Sequence, residues 1–134
     1  MTAKSFVDTN VVLYTIGSDA RKKDIARAIV AGKPAASAQV VNECVSVCLR
    51  KLSFTRDQAY AFAREVMERT EVLPVTGSTI EQAGTLAIRH QLSHWDALII
   101  ASALLAGCET LYSEDLQHDQ VFDNRLRVIN PFAT

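Results

Sequence analysis

Glycine and proline are sparse in this 134-residue chain, at five and three residues, which excludes collagen-like and linker-like sequences. Cysteine is scarce and odd in number, at Cys44, Cys48 and Cys108. The opening MTAKSFVDTN lacks the apolar core of a secretory leader. Three thiols without a leader point to a reducing cytoplasm rather than a disulfide framework. Long hydrophobic runs are missing too. The most apolar stretch, Ala97 to Ala106, is interrupted by Ser102 and falls well short of the ~20 residues that span a bilayer. It reads as a buried helix, and no membrane partner is expected. A surplus of one charge is also lacking, because 14 Lys+Arg against 15 Asp+Glu leave a formal −1. That excludes a grip on nucleic acid through bulk positive charge; a polyanionic partner must be held by a local site.

What is present is a globular composition, 49% apolar and 22% charged, in a length that suits one domain over residues 1–134. Strand-like and helical segments alternate. Ser5-Phe6-Val7 is a β-type run that stops at Asp8, and Val11 to Ile16 reads as a short apolar helix closed by Gly17. Ile25, Ala28 and Ile29 give helical spacing over Asp24 to Ala31, before Gly32-Lys33-Pro34 breaks it. Ala35-Ala36-Ser37 reads as a strand, followed by helix through Lys51. Thr55-x-x-Gln58 is a capping box, and Ala59, Phe62, Ala63, Val66 and Met67 form an amphipathic stripe behind it. Val72 to Val75 is a strand whose Pro74 marks a sheet edge. Ser78-x-x-Glu81 and Ser93-x-x-Asp96 read as two further helix starts. Thr110 to Ser113 and Arg127 to Ile129 read as the last strands. Strands separated by helices predict βαβ crossovers, and hence an α/β fold with a mostly parallel sheet.

In such sheets the site lies outside the carboxyl ends of the strands. That rule brings Asp8, at the end of the first strand, and Asp115, just past the Thr110–Ser113 strand, to one rim. Glu43 stands between Val40 and Val47 on a helix face expected to be buried, with no Lys or Arg within four positions. A buried carboxylate without a basic neighbour needs a partner from elsewhere or a cation, because desolvation costs several kcal/mol. Asp96 opens the apolar helix; alone it reads as a capping-box acid. Asp119 by itself reads as a solvated acid. One pair of carboxylates at ~4 Å repels by about 4 kcal/mol at an effective dielectric of 20, so four converging acids call for a cation. Hard oxygen donors select Mg²⁺ or Mn²⁺, which suits metal-assisted attack of water on a phosphodiester. Cys44 and Cys48 with His90 and His94 resemble halves of a zinc site. About forty residues of helical pattern separate them, so they read as core thiols and surface imidazoles.

FVDTNVVLY, the Glu43 helix, SHWDALIIASA, and LYSEDLQ followed by RVINPF resemble the PIN-domain proteins, in particular the VapC-type toxins. The resemblance runs from Phe6 to Phe132. It implies a three-layer α/β/α sandwich with a mostly parallel central sheet. It places Asp8, Glu43, Asp96 and Asp115 on the family's catalytic, metal-binding acids, with Asn10 and Ser113 as supporting residues and Asp119 as a looser match. It implies an Mg²⁺- or Mn²⁺-dependent endoribonuclease leaving 5′-phosphate ends. It further implies a homodimer, and a cognate VapB-type antitoxin whose tail places an Arg over the acidic cleft. Arg50, Lys51 and Arg56 are candidates to guide the RNA backbone, although such a cluster also reads as a solvated helix end. Trp95 reads as core packing beside a buried helix, with base stacking as the alternative. A receiver domain would need an acid at the end of Val72–Val75 and a Lys after the last strand, and neither is there. A haloacid-dehalogenase-type phosphatase would need Asp where Asn10 stands. The rival reading from another class is a PIN-fold RNA- or protein-binding module with little nuclease activity.

Overall fold

A computed structural model describes residues 5–133. Six strands, β1 (Ser5–Val7), β2 (Ala35–Ser37), β3 (Glu71–Leu73), β4 (Thr110–Tyr112), β5 (Val121–Phe122) and β6 (Leu126–Ile129), form one sheet in the order β3-β2-β1-β4-β6-β5. All pairs are parallel except β5 with β6. Six helices connect them: α1 (Thr9–Tyr14), α2 (Ala20–Ala31), α3 (Ala38–Arg50), α4 (Arg56–Arg69), α5 (Gly77–His90) and α6 (His94–Leu105). The chain steps outward from β1 to β2 to β3, then returns across the sheet to β4. Right-handed crossovers therefore put α5 and α6 on the opposite face from α1 to α4. The contacts agree, since α1 to α4 touch one another while α5 packs along α6. This is the predicted α/β/α sandwich.

Local chemistry sets the element ends. Ser37, Thr55 and Ser93 each accept a backbone N–H at a helix start. Thr55 and Gln58 close the expected capping box. α6 is buried from Ala97 to Leu104, the core helix that its apolar sequence predicts. It ends at Gly107, whose φ of 74° allows Cys108 N–H to reach the Ala103 carbonyl and Gly107 N–H the Leu104 carbonyl. This Schellman arrangement satisfies carbonyls that a helix end leaves open. Only four residues link α6 to β4. The two therefore run in opposite senses, and the first turn of α6 lies toward the carboxyl rim of the sheet. Phe6, Leu111, Ile100, Phe122, Leu126 and Val128 fill the core between the layers.

Several boundaries differ from expectation. α1 begins at Thr9, because Asp8 itself caps it. α2 begins at Ala20, capped by Asp19 through the Lys22 N–H, so it opens before the apolar spacing does. α5 begins at Gly77 with Thr76 and Thr79 as its reciprocal cap, not Ser78 and Glu81. Thr79 is buried, which fixes the helix frame two residues earlier. β3 lies at the sheet edge, and Pro74 follows it rather than sitting within it. β5 was not apparent in the sequence: two residues suffice because Asp123 and Asn124, at φ 52° and 53°, turn the chain sharply back. Met67, expected in the α4 stripe, is 44% exposed, while Ala59, Phe62, Ala63 and Val66 are buried. Among the described residues, no helix is long and apolar enough to cross a membrane.

Candidate active site

The order of strands reverses between β1 and β4, so their carboxyl ends open a crevice at a topological switch point. Asp8 sits there. Its backbone N–H pairs with the Tyr112 carbonyl, tying the end of β1 to β4. Its side chain is only 7% exposed. Oδ1 accepts the Thr9 N–H at 2.7 Å, and Oδ2 accepts the Ser113 hydroxyl at 2.7 Å and the Asn10 amide at 3.4 Å. Burial pushes the Asp8 carboxyl up from 3.8 to about 6. The Ser113 and Thr9 hydrogen bonds pull against that rise, while the charges of Asp115 and Glu43 add to it. Among the described residues, no Lys or Arg forms an ion pair with Asp8, Glu43 or Asp115.

Asn10 and Ser113 join the acids. Asn10 donates through Nδ2 to Asp115 at 3.0 Å, and its Oδ1 accepts the Glu114 N–H at 3.1 Å. The Ser113 hydroxyl accepts the Asp115 and Leu116 N–H groups at 3.2 and 3.3 Å. Residues 113–116 are thus a compact turn folded around Ser113, with Asp115 exposed at its rim. Glu43 enters from α3 and is half-buried rather than buried. It accepts the Thr9 hydroxyl at 3.0 Å and the Gln39 amide at 2.8 Å. Thr9 therefore reaches Glu43 while its backbone N–H holds Asp8.

The other expected residues fall outside this network. Asp96 is half-buried in the first turn of α6, its N–H bonded to the Ser93 hydroxyl at 3.2 Å. No hydrogen bond links its carboxylate to Asp8, Glu43 or Asp115 among the described residues. Asp119 is exposed beside Arg127 and His118, at 3.6 and 3.5 Å. Arg50 and Lys51 are exposed where α3 ends, and Arg56 is exposed where α4 begins. Arg50 donates to Ser46 at 2.9 Å. Seven residues of helix, about 10 Å of rise, separate Arg50 from Glu43. Trp95 is not in the core: it is 59% exposed, one residue before Asp96, with the His94 ring edge-on at 5.2 Å. The buried stretch of α6 begins only at Ala97, two residues on. Cys44 and Cys48 are buried core thiols, as expected.

Sequence reasoning passed over Thr9, Gln39 and Glu114. Gln39 stands four residues before Glu43, a helical spacing that foretells their contact. Thr9 lies inside the DTN segment. Glu114 turns away from the acids onto Lys22 and Tyr14.

The donor set here is carboxylate, hydroxyl and amide oxygen, and among the described residues no Lys or Arg pairs with the buried Asp8. Such groups fit a hard divalent cation. Among the described residues, no three His, Cys, Asp or Glu side chains stand close enough to hold one as they lie. The carboxylates are instead turned onto Ser113, Asn10, Thr9 and Gln39.

The fold and this rim define a PIN domain. The family model for the PIN domain matches residues 5–123, and the chain belongs to that family. Solved structures share the fold. One is VapC20 of Mycobacterium tuberculosis, described as a toxin that cleaves the sarcin–ricin loop. It is 24% identical, with a TM-score of 0.68, over 83% of this chain and 89% of that one. A toxin–antitoxin complex from Klebsiella pneumoniae matches at 18% identity and TM-score 0.73, over 97% and 99% of the two chains. DNA-bound VapBC from Salmonella typhimurium matches at 17% identity and TM-score 0.69, over 94% and 98%. No curated protein sequence matches significantly.

Proposed function

We propose that this chain is a metal-dependent endoribonuclease and the toxin of a toxin–antitoxin pair. The observation that carries the reading is the convergence of Asp8, Glu43 and Asp115 at the switch point, joined by shared donors and, among the described residues, in no ion pair with Lys or Arg. The structural likeness to proteins named as toxins and toxin–antitoxin complexes supports it.

In this reading Asp8, Asp115 and Glu43, with Asp96 from the first turn of α6, hold Mg²⁺ or Mn²⁺. The cation supplies charge neutralisation at the scissile phosphate and an acidified water. Ser113 and Asn10 fix Asp8 and Asp115 relative to each other. Thr9 and Gln39 fix Glu43. Trp95 offers an exposed ring to an unpaired base, and Arg50, Lys51 and Arg56 attract the backbone. An antitoxin with a basic tail closes the acidic crevice, since an Arg fork matches paired carboxylates. A homodimer is part of the same reading.

The test is induction of the chain with and without its neighbouring small reading frame, followed by mapping of RNA ends. Growth arrest with new 5′-phosphate ends, relieved by the neighbour and absent in Asp8→Asn and Asp96→Asn, is expected. Wild-type protein that yields no new ends with Mg²⁺ or Mn²⁺ overturns the nuclease reading in favour of a binding module.

A further inference from the structure

Outside the acidic rim, the most tightly built polar cluster among the described residues is the one around Glu114. Lys22 Nζ lies 2.6 Å from Glu114 Oε2, and the Tyr14 hydroxyl donates to Glu114 Oε1 at 2.5 Å. Lys22 also donates to the Tyr14 oxygen at 3.1 Å, closing a triangle. The ammonium stands 4.7 Å from the Tyr14 ring centre and 5.5 Å from that of Phe132. The two rings meet edge to face at 4.8 Å. Glu114 is therefore an anion committed to α1 and α2, not a fourth acid for the rim.

Its backbone is what matters to the rim. Glu114 N–H donates to Asn10 Oδ1, which sets the orientation of the Asn10 amide. With its oxygen engaged, that amide turns its NH₂ toward Asp8 and Asp115. The next residue along is Asp115. Holding the Glu114 side chain thus fixes the turn that presents Asp115, from a point away from the acids themselves. Without that hold, only Ser113 and Asn10 would tie the turn that carries the exposed Asp115.

We infer that Lys22, Tyr14 and Glu114 form a clamp of positioning residues that sets the Asp115–Asn10–Asp8 geometry and so the divalent-cation affinity of the rim. This rests on the metal-dependent reading above. The electrostatic part of the clamp is partly solvent-screened, so the geometric tether is the larger effect.

The test is Mn²⁺ titration of the purified chain by calorimetry, on the wild type, Lys22→Met, Tyr14→Phe, Lys22→Arg and Asp115→Asn. Thermal melting is measured alongside. Outer residues that orient metal ligands are typically worth 10–100-fold in affinity. Lys22→Met and Tyr14→Phe are expected to weaken Mn²⁺ roughly tenfold, with cooperative melting retained, and Lys22→Arg to recover most of the loss. RNA cleavage is expected to return at saturating Mn²⁺, which a collapsed fold would not allow. Should Lys22→Met fail to fold, Tyr14→Phe carries the test, because it keeps the ring against Phe132. Wild-type affinity in Tyr14→Phe or in folded Lys22→Met overturns the clamp alone. A wild type that takes up no Mn²⁺ overturns the clamp together with the metal-dependent reading.

Discussion

The Ser113 hydroxyl donates to Asp8 Oδ2 at 2.7 Å while accepting two backbone N–H groups from Asp115 and Leu116. One fully buried oxygen thus joins the end of β1 to the turn after β4. Ser113→Ala removes the strongest hydrogen bond that pulls the Asp8 carboxyl down, and leaves two N–H groups to find water. Unsatisfied buried groups cost about 1–3 kcal/mol each. With the Leu116 N–H buried and the Asp115 N–H only part-buried, Ser113→Ala is expected to lower unfolding free energy at pH 7 by about 1–3 kcal/mol in all. It is also expected to move the Asp8 carboxyl above 6. Urea denaturation and carboxyl titration by NMR check both, and an unchanged Asp8 titration would contradict the assignment.

Burial makes the Asp8 charge a liability in the metal-free protein. Its carboxyl titrates near 6 in the fold against 3.8 when unperturbed, so the folded state holds the proton more tightly than the unfolded state does. The stabilisation from protonation is complete below pH 3.8 and is lost as pH rises through about 6. A difference of this size corresponds to about 3 kcal/mol at pH 7. Asp8→Asn removes the charge and forfeits one hydrogen bond worth about 1 kcal/mol. Asp8→Asn is therefore expected to melt above wild type at pH 7 without divalent cation, with the gap closing toward pH 4. RNA cleavage is expected to be lost in the same variant. Denaturation with EDTA across that pH range reads the gap. A variant less stable than wild type at pH 7 would sink the argument.

Much of the rim was legible because its acids end local elements. Asp8 closes a β-type run and Asp115 follows one, so topology alone brought these two toward one edge, whereas Asp96 behind its Ser cap stands outside their hydrogen-bond network. Their supporting contacts were not legible. Thr9 meets Glu43 across 34 positions and Lys22 meets Glu114 across 92, and no periodicity encodes such pairings. Glu43 looked buried because its helical neighbours are Val, yet α3 leaves that face half open to the crevice. Trp95 looked like core for a similar reason: the apolar helix it opens is buried only from Ala97 onward. β5 escaped notice since its pairing depends on two left-handed turn residues rather than on a hydrophobic run.

Cys44, Cys48 and Cys108 are fully buried, and burial raises each thiol, Cys108 to about 11. Thiolate is the reactive form, so native protein has almost none to offer near neutral pH. Iodoacetamide at pH 7.5 is expected to leave the folded chain unmodified and to label all three positions in urea. Mass spectrometry counts the adducts. Rapid labelling of Cys44 in folded protein would contradict the packing of α3 against the sheet.

Substitution of Trp95 is expected to separate affinity for RNA from stability. The residue is 59% exposed and touches only the edge of His94 among aromatic neighbours, so truncation opens no cavity. Trp95→Ala is expected to leave the melting temperature within the small range typical of surface changes, about 0.5 kcal/mol in free energy. Stacking of a base on an aromatic ring is worth about 1–3 kcal/mol. Loss of that contact is expected to raise KM for a single-stranded RNA substrate by roughly 5- to 150-fold, the same energy expressed as a ratio. Trp95→Phe keeps a π-face and is expected to fall between the two. The alternative is that the ring meets a protein partner instead. In that case Trp95→Ala would leave RNA cleavage kinetics intact and shift the oligomeric state or the hold of the antitoxin, which sedimentation and co-purification measure directly.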